Sequence, residues 1–311
     1  MKLLIQATLA HGVDVRELRL RHPQGSTLPT WPAGAHLKLH LPQADGSTLA
    51  RHYSLIGTPG DTQQYRIAVL KDPKSRGGSR QVHEQLSAGQ TLEVEGPFNS
   101  FPLKAGAGRI VLVAGGIGIT PLHAMAHELN RQGLGFELHY LARSEDRLVL
   151  LDELRALPQA QIHLHLGAAP PDLAALLGPF QSGHTLHACG PVPLLNALRE
   201  HAAAQGWPAT VQHFESFGAR VEGADRPIRL HLAQSGISLE VPVGTSLLDA
   251  LIQADQFVSF ECKRGECGQC WTPVVAGEPL HRDVCLTPAQ RAQGLCTCVG
   301  WARSAELTLD L

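Results

Sequence analysis

Three cysteines near the C-terminus form the most specific chemical pattern in this sequence. Cys262, Cys267 and Cys270 make a C-x4-C-x2-C run that also contains Gly265 and Gly268. This is the plant-type [2Fe–2S] spacing, in which one loop supplies three thiolates and a distant segment supplies the fourth. Glycines let the backbone fold closely around such a cluster, so that its N–H groups can face the sulfur atoms. The run therefore predicts an electron-transfer centre.

The fourth ligand must come from the three cysteines that follow, which are Cys285, Cys296 and Cys298. The residues alone leave these three alternatives open. A zinc site also takes four cysteines, but zinc ligands usually come as paired C-x2-C units. The spacing therefore favours an iron–sulfur cluster over zinc.

Composition narrows the class of protein. The chain has 311 residues, of which 43% are hydrophobic and 17% charged, and its formal net charge is −2. This length suits two or three domains, and the absence of a long basic run argues against nucleic-acid binding. Six of the seven cysteines lie between Cys262 and Cys298, which favours metal ligation over a disulfide framework. The longest apolar stretch, residues 110–122, is too short to span a membrane, so we expect a soluble cytoplasmic protein.

Residues 1–104 predict an antiparallel β-barrel, with a sandwich as the alternative. Short apolar or alternating runs in this part of the chain are broken by glycine and proline, as in all-β folds. The expected strands cover residues 1–5, 37–41, 48–55, 65–70 and 91–95.

Residues 105–222 predict a parallel, doubly wound α/β domain. Ile110–Ala114 is a continuous apolar run, typical of a strand buried on both faces. A helix is expected over Pro121–Gln132, with Thr120 as its N-cap and Pro121 in its first position. Further strands are expected at residues 136–142, 162–166, 185–188 and 211–214, with helices at residues 148–157 and 191–205.

Residues 223–311 predict a third domain, introduced by a small polar run at residues 218–227 that is typical of an exposed linker. Residues 228–232 and 237–241 flank a turn and predict a β-hairpin. Thr245 is the expected cap of a helix that continues through Ala254, just before the cysteine loop.

Two motifs in the first domain could bind a phosphate. Arg51-His52-Tyr53-Ser54 lies in an expected strand and offers a guanidinium that matches phosphate and a hydroxyl that can take part in a protonation step. Further along, Lys71 precedes Arg76-Gly77-Gly78-Ser79, whose backbone N–H groups suit a terminal phosphate. Each motif alone also fits a structural role, as a barrel strand or a glycine turn.

The second domain carries a glycine-rich turn, Gly115-Gly116-Ile117-Gly118-Ile119-Thr120-Pro121, after its first apolar strand. The full G-x-G-x-x-G fingerprint is not present, because Pro121 occupies the third glycine position. The turn still offers N–H groups and a helix start to a pyrophosphate. Cys189-Gly190-Pro191 also lies where an expected strand meets an expected helix.

Two pairs among the seventeen histidines have spacings that could suit a metal ion, but they are a weaker signal than the cysteine run. His123 and His127 lie four apart on the expected helix, but the glutamate that a zincin needs after the first histidine is absent. His163 and His165 share one face of an expected strand. Packed or solvated histidines account for both pairs.

Taken together, these motifs resemble the phthalate dioxygenase reductase family, which includes vanillate demethylase reductases. The resemblance rests on the R-x-Y-S and G-G-x-G-x-T-P motifs and on Cys298-Val299-Gly300-Trp301, which is similar to the ferredoxin segment that carries the last ligand. It covers essentially the whole chain. It implies an FMN-binding β-barrel at residues 1–104, an NAD-binding α/β domain at residues 105–222 and an α+β (β-grasp) ferredoxin domain at residues 223–311.

For the flavin site, the resemblance implies that Arg51 meets the phosphate and that Tyr53 and Ser54 contact the ring, with Ser54 near N5. It favours FMN over FAD. The wider candidate site also includes His52, Lys71, Arg76, Gly77, Gly78 and Ser79, and Phe217 is a candidate to stack on the ring.

For the other two centres, the resemblance places Cys189 beside the nicotinamide C4, with Gly115, Gly116, Gly118, Thr120, Pro121, Gly190 and Pro191 in the same site. Cys189 and Ser54 are therefore the catalytic candidates. The resemblance also selects Cys298 as the fourth cluster ligand, with Cys296 as the rival.

The function implied is that of a reductase that passes electrons from NADH through FMN and a [2Fe–2S] cluster to a Rieske-type oxygenase or demethylase. Hydride carries two electrons and a cluster takes one at a time, so a flavin must lie between them. Residues 143–147 carry both charge signs, so their charges do not separate NADH from NADPH. NADH is therefore taken from the family preference. The alternatives are a reductase for a non-Rieske acceptor and a redox sensor whose cluster gates partner binding. A monomer is expected.

Overall fold

A computed structural model describes residues 1–43, 45–73, 77–169, 171–217, 225–261, 263, 265 and 268–311. The described chain divides into two compact units, residues 1–190 with 197–213 and residues 191–196 with 214–311. Most of the expected linker, residues 218–224, lies outside the described residues. Across the described ranges, no helix is long and apolar enough to cross a membrane.

The chain begins with a closed six-stranded barrel, which confirms the expected β-barrel. Its strands are β1 (Lys2–His11), β2 (Val15–Arg21), β3 (His36–Pro42), β4 (Thr48–Ile56), β5 (Tyr65–Leu70) and β6 (Thr91–Phe98), in the order β1-β2-β5-β4-β3-β6. Leu37, Leu39 and Leu41 of β3 are fully buried, so alternate side chains fill the interior. Strand β2 and helix α1 (Gly78–Glu84) are additional to the expected elements.

A five-stranded sheet follows, which confirms the doubly wound domain. It consists of β7 (Ile110–Gly115), β8 (Phe136–Ala142), β9 (Ala160–Leu166), β10 (Thr185–Cys189) and β11 (Gln212–Glu215), in the order β11-β10-β7-β8-β9. β7 pairs in parallel with both β8 and β10, and β8 pairs in parallel with β9. The helices along this segment are α2 (Ile119–Arg131), α3 (Leu151–Arg155), α4 (Leu173–Leu177) and α5 (Val192–Ala204).

Helix α2 begins earlier than expected, and the assignment of Thr120 as its N-cap was wrong. The N-cap is Gly118, and Thr120 Oγ1 donates to the Ile117 carbonyl at 3.0 Å. The reason is a short 3₁₀ turn over Gly116–Gly118 that runs directly into the helix, so that Thr120 already lies within the first turn. Pro121 also lies in the first turn, where its missing N–H breaks no helical hydrogen bond.

The C-terminal domain is a small mixed sheet with one main helix, as expected for a β-grasp ferredoxin fold. Its elements are β12 (Ile228–Leu232), β13 (Ser238–Val241), α6 (Leu247–Gln253), β14 (Trp271–Ala276), β15 (Pro279–Leu280), α7 (Pro288–Arg291), β16 (Gly294–Cys296), β17 (Trp301–Ala302) and β18 (Glu306–Leu309). The main sheet has the order β13-β12-β18-β14-β16. β12 and β13 form the expected antiparallel hairpin, and β12 runs parallel to β18.

The expected cap of helix α6 was placed one residue too early. Ser246, not Thr245, is the N-cap, and its Oγ accepts a hydrogen bond from the Asp249 N–H at 3.0 Å. A capping oxygen must lie two or three residues before the N–H group that it satisfies, and Ser246 meets that condition here. Leu247 and Leu251 then point into the core of the domain.

An arginine links the barrel to the nucleotide-binding sheet. Arg66 on β5 contacts Glu17 on β2 through Nε and Nη2, at 2.8 and 3.1 Å, and contacts Glu153 on α3 through Nη1 and Nη2, at 2.9 and 2.7 Å. The Glu17 side chain is fully buried, and His11 and Arg19 also donate to it. Two carboxylates from different domains therefore share one guanidinium.

The pKa of Glu17 reflects the hydrogen bonds that its carboxylate accepts. Burial raises the pKa of the carboxyl, but hydrogen bonds from His11, Arg66 and Arg19 outweigh burial and lower the pKa to about 2. Glu153 is affected in the same direction, because hydrogen bonds from Arg66 and His123 lower its pKa. Both carboxylates are thus charged in the folded protein at neutral pH.

We expect Glu17→Gln to lower the free energy of unfolding by about 3 kcal/mol at pH 7, from the difference between the usual pKa of 4.5 and about 2. Because the pKa is lowered, this stabilisation is complete above about pH 4.5 and is lost as the pH falls towards 2. Urea unfolding followed by circular dichroism should show roughly half the difference near pH 3.

The matched control for this prediction is Glu128→Gln, which removes a surface pair with Arg131 on helix α2. Such exposed pairs contribute less than about 1 kcal/mol. A Glu17→Gln effect that is no larger than the control, or that does not change between pH 7 and pH 3, would contradict the assignment.

Candidate functional site

The residues expected to bind the flavin lie together on strand β4, but not on one face. The pairing of β3 with β4 is unbroken over residues 48–54, so side chains alternate regularly. Arg51 and Tyr53 therefore share one face, and His52 and Ser54 share the other. Ser54 is buried and His52 is exposed.

The surroundings of this strand are aromatic and partly dry. Burial raises the pKa of the Tyr53 hydroxyl to about 12, although the charge of Arg51 opposes the rise, so the phenol is protonated at neutral pH. On the other face, the ring of His36 lies 5.1 Å from that of His52 and 5.9 Å from that of Phe98. Flat rings of this kind suit contact with an extended aromatic ligand.

Arg51 brings the two phosphate motifs together. A Cβ placed on Gly78 would lie 2.8 Å from Cγ and 2.9 Å from Nε of Arg51, so the arginine crosses directly over the glycine. A side chain at this position would displace the arginine. The strand motif and the glycine motif are therefore adjacent, as a shared phosphate would require. Arg76 lies outside the described residues.

The neighbours of the glycine motif have defined partners. Ser79 Oγ accepts from the Asp72 N–H at 3.2 Å, and Lys71 Nζ lies 2.9 Å from Glu84 Oε1. The charge of Lys71 is thus directed to a carboxylate and not to the glycine motif. A cavity of about 460 Å³ borders this region and is lined by Pro42, Gln43, Gly77, Arg80, Gln81 and Gln85.

The two nucleotide motifs meet at the carboxyl ends of neighbouring strands. A Cβ on Gly118 would lie 2.1 Å from the Cys189 carbonyl oxygen and 2.9 Å from the Gly190 nitrogen. β7 and β10 pair with Ala114 opposite Cys189, and the strand order reverses between these two strands. Such a switch point is where open α/β sheets bind ligands. The structure therefore brings the glycine turn and Cys189 to one place.

Other expected residues of the nucleotide and flavin sites differ in exposure. Cys189 is fully buried, and Thr120 is 2% exposed because its hydroxyl is held inside the turn by the Ile117 carbonyl. Phe217 is 48% exposed and follows the last strand of the sheet by two residues. An exposed aromatic ring is available for stacking.

The described part of the expected cluster site brings Cys270 next to two later cysteines. The Cys270 thiol lies within hydrogen-bonding reach of those of Cys296 and Cys298, and all three are buried. The Thr297 N–H donates to the Cys270 carbonyl at 3.1 Å and holds the two segments together. The other expected ligands, Cys262 and Cys267, lie outside the described residues.

These contacts shift the pKa values of two of the thiols in opposite directions. Hydrogen bonds from Cys296 and Cys298 lower the pKa of the Cys270 thiol to about 3, although burial raises it. Contacts with Cys270 and Cys285, together with burial, raise the pKa of Cys296. Cys270 is therefore held as the thiolate, which is the form that binds metal.

Cys285, which the residues alone leave open as a candidate for the fourth ligand, is a close neighbour of this group. Its Sγ lies 3.7 Å from Cys296 Sγ. The loop that carries it is held by Asp283, whose carboxylate accepts from the Leu286 N–H at 3.0 Å and from Arg291 at 3.2 Å. Cys296 is thus flanked by thiols on both sides.

Close glycine packing joins the cysteine loop to the segment that ends with Cys298. Gly265 has φ +72°, and a Cβ there would lie 2.6 Å from Val299 Cγ2 and 3.0 Å from Asp283 Cα. The Val284 N–H also donates to the Gly265 carbonyl at 2.9 Å. The loop therefore lies directly against the residue that follows Cys298.

An exposed apolar patch lies just before the cysteine loop. Phe257 is 89% exposed and Phe260 is 45% exposed, and Lys263 Nζ lies 4.7 Å from the centre of the Phe260 ring. Single exposed apolar side chains are normal on a protein surface, whereas groups of them often mark interaction sites.

Among the described residues, the sequence patterns did not indicate the contacts of Arg66 with Glu17 and Glu153, which join the barrel to the nucleotide-binding sheet. Glu17, Arg66 and Glu153 lie in three separate elements, and each is an ordinary charged residue in an alternating or helical run. A solvated strand face would show the same pattern, so the sequence contains no signal for their contact.

Comparison with known proteins agrees with this arrangement. Two family models match the chain, a 2Fe-2S iron-sulfur cluster binding domain at residues 230–302 and an oxidoreductase FAD-binding domain at residues 1–102. The heme-dependent oxidative N-demethylase β subunit of Ectopseudomonas mendocina is 44% identical over 92% of this chain and 91% of its own. The vanillate O-demethylase oxidoreductase of Pseudomonas sp. (strain HR199) is 39% identical over the full length of both chains.

A solved structure extends the match to three dimensions. The structure of phthalate dioxygenase reductase, described as modular and as transferring electrons from pyridine nucleotides to [2Fe-2S], has a TM-score of 0.73 and 36% identity. The match covers 100% of this chain and 98% of that one.

The contact between Gly118 and Cys189 can be tested with Gly118→Ala. The added methyl group would lie 2.1 Å from a backbone oxygen, so the two strand ends must separate. We expect dinucleotide binding to weaken at least about 10-fold, equivalent to about 1.4 kcal/mol, in a fluorescence titration. Gly135→Ala is the matched control, because its Cβ would meet nothing within 4 Å. Equal dinucleotide affinity in the two variants would show that the turn does not form the site.

Proposed function

Because this chain belongs to the phthalate dioxygenase reductase family, we propose that it is the reductase component of an oxygenase system, carrying electrons from NADH through FMN and a [2Fe–2S] cluster to a terminal oxygenase. The main support is the combination of three sites in one chain. These are the arginine–glycine motif of the barrel, the Gly118–Cys189 contact at the sheet switch point and the buried thiols around Cys270.

The order of the three sites follows from electron counting. Bound flavin can accept both electrons of a hydride and release them one at a time, which links a nicotinamide to a one-electron cluster. In this proposal Cys189 lies beside the nicotinamide, and Ser54 holds or donates a proton near the flavin N5. Ser54 is buried, and burial also raises the pKa of Tyr53, so that part of the site is partly shielded from water.

FMN is the proposed flavin, because the barrel offers a compact site for a terminal phosphate. Arg51 crosses over Gly78 and brings the Nε end of its guanidinium to the glycine motif. A fixed guanidinium together with glycine N–H groups suits a phosphate dianion. The family resemblance supports the same choice.

NADH is the proposed electron donor. An NADPH site needs an arginine that is available to the 2′-phosphate. Arg147 lies in the expected region of the ribose, but its Nη1 is 2.7 Å from Asp14 Oδ2, so its charge is already paired. Arg143 lies in the same region and is exposed, so the choice of NADH follows the family preference.

Cys262, Cys267, Cys270 and Cys298 are the proposed cluster ligands. Cys298 is preferred over Cys296 because Cys296 is fully buried at the end of strand β16 and lies 3.7 Å from Cys285. Cys298 follows the strand, is 8% exposed and adjoins the segment that packs on Gly265. The four cysteine thiolates would supply the negative charges that hold the two iron ions.

Replacement of each rival cysteine by serine tests this assignment. We expect Cys298→Ser to lose the native [2Fe–2S] absorbance and electron paramagnetic resonance signal, because one thiolate ligand is removed. Cys296→Ser should retain both signals. Loss of the cluster in Cys296→Ser with retention in Cys298→Ser would reverse the assignment.

The proposed acceptor is a Rieske-type oxygenase, as the family resemblance suggests. A haem-dependent oxygenase is the second candidate, because the relative at 44% identity is the β subunit of a heme-dependent oxidative N-demethylase. Phe257 and Phe260 are proposed to contribute to acceptor docking, since they are exposed next to the cysteine loop. A cytoplasmic location is proposed, because the free thiols of Cys285 and Cys296 suit a reducing compartment. The proposed oligomeric state is a monomer.

Anaerobic stopped-flow absorbance tests the proposed function. NADH should bleach flavin and cluster bands in the purified protein faster than NADPH does. The reduced protein should then pass electrons to a Rieske or haem oxygenase encoded beside it, and the acceptor that is reduced identifies the partner class. A colourless protein that contains zinc, or no response to NADH, would contradict the proposal.

Phe257→Ala provides a matched variant for the same assay. If the patch docks the oxygenase, this variant should slow oxygenase reduction while ferricyanide reduction stays unchanged, because a small acceptor needs no docking surface. Equal rates with the oxygenase would exclude Phe257 from the docking surface and leave the electron-transfer assignment intact.

A further inference from the structure

Four polar side chains lie together on one face of strands β8 and β9. The parallel register places His139 opposite His163, with their rings stacked 4.6 Å apart at 14°, and His139 is also 5.3 Å from the ring of His165. Glu137 lies two residues before His139 on the same face. The opposite face of β8 carries residues of the hydrophobic core, including Leu138 and Tyr140. Hydrophobic packing therefore does not explain this group.

The hydrogen bonds of His139 determine which of its ring nitrogens can bind a ligand. His139 Nδ1 lies 3.0 Å from His165 Nε2, so one of the two nitrogens donates to the other. When His139 Nδ1 donates, its Nε2 presents a lone pair. That Nε2 is buried, has no hydrogen-bond partner among the described residues and lies 3.6 Å from Glu137 Oε2. His139 itself is 6% exposed.

Glu137 is oriented by an arginine that is shared with a helix. Arg109 Nε and Nη2 contact the two carboxylate oxygens at 2.6 and 2.5 Å, and the same guanidinium donates to the carbonyls of Leu176 and Leu177. The carboxylate is therefore held in one orientation. Its Oε2 lies 3.6 Å from His139 Nε2 and keeps a further lone pair.

We propose that Glu137, His139 and His163 bind a divalent transition-metal ion such as Zn²⁺, with His165 holding His139 in the metal-binding tautomer. One donor atom from each of the three residues lies within 4.8 Å of the others. Two imidazoles and one carboxylate are a common zinc ligand set, and a water molecule completes four-coordination. His163 is exposed and can rotate to close the remaining distance.

The role of His165 matches that of an outer-sphere partner in known metal sites. A metal-binding histidine usually gives its other N–H to a neighbouring acceptor, which fixes the ring and the tautomer. Burial, and then the neighbouring histidines, lower the pKa of His139 to about 4. The ring is therefore neutral at pH 7, and the metal does not have to displace a proton from it.

A second cluster in the same domain shows why three close donors are not sufficient. His123, His127 and Glu153 also lie within 4.8 Å of one another. In that cluster His123 Nδ1 accepts the Gly57 N–H at 3.0 Å, so in the neutral ring Nε2 must carry the proton. Nε2–H then faces Glu153, at 3.5 Å, as a hydrogen-bond donor and not as a ligand. This cluster therefore serves as an internal negative control.

Zinc binding to the intact holoprotein tests the proposal. Chelator-treated protein that retains its flavin and cluster would be dialysed against micromolar Zn²⁺, and bound zinc measured by mass spectrometry. We expect one Zn²⁺ per chain. His163→Ala should weaken binding by at least about 100-fold, because a ligand is lost, and His165→Ala by about 10- to 100-fold, as for other outer-sphere partners. His127→Ala should bind zinc as the wild type does.

Crystals soaked with Zn²⁺ give a second measurement that does not depend on activity. An anomalous peak should lie about 2.0–2.2 Å from Glu137, His139 Nε2 and His163. The proposal fails if the wild type binds no zinc in this range, or if His163→Ala and His127→Ala bind zinc equally. It also fails if zinc is taken up only as cluster absorbance is lost, because the metal is then at the cysteine ligands.

Discussion

The contacts of Arg66 with Glu17 and Glu153 are the constraint on which the geometry of the flavin and nucleotide domains depends. Glu17 is a fully buried carboxylate in the barrel, and it can stay charged there only because Arg66 and its neighbours donate to it. The same guanidinium binds Glu153 on the nucleotide side. Removing one partner of such a group leaves a buried charge uncompensated, so the arrangement resists rotation of one domain against the other.

In the proposed function this rigidity matters, because hydride transfer depends on close and fixed approach of the two reacting rings. Other contacts act in the same direction. A Cβ on Gly12, in the turn between the first two barrel strands, would lie 2.2 Å from the Asp146 carbonyl, and Arg147 pairs with Asp14 from the same turn. His123 accepts the Gly57 N–H and faces Glu153. The barrel and the sheet are therefore joined by close backbone packing and by several polar contacts, including those of Arg66.

The C-terminal domain meets a different physical constraint, because the thiols that are proposed to bind the cluster are buried close together. Cys270 is held as a thiolate by neighbouring thiols, and the Thr297 N–H and hydroxyl bind its backbone carbonyl. Glycine at position 265 lets the loop approach the chain beside Cys298 more closely than any side chain would permit. In both parts of the protein, buried charge is tolerated because local donors are already in place.

Local chemistry was readable from the sequence wherever it was encoded in short spacing. The cysteine run, the glycine turn and the R-x-Y-S motif each lie within a few consecutive residues, and alternating apolar runs predicted most strands of the barrel and the sheet. Element ends were less certain. Thr120 and Thr245 have the chemistry of helix caps, but neighbouring residues took that position because a 3₁₀ turn or a one-residue shift changed where the first N–H groups point.

By itself, the sequence determined the candidate ligand types, their local spacing and the order of the three domains, because these depend on neighbouring residues. Tertiary structure alone decided which distant residues meet. His139 and His163 become partners through the parallel register of β8 and β9, and Glu17 meets Glu153 through one arginine. Long-range pairings of this kind depend on how whole elements pack, and a charged or histidine residue looks the same in sequence whether it faces water or another strand.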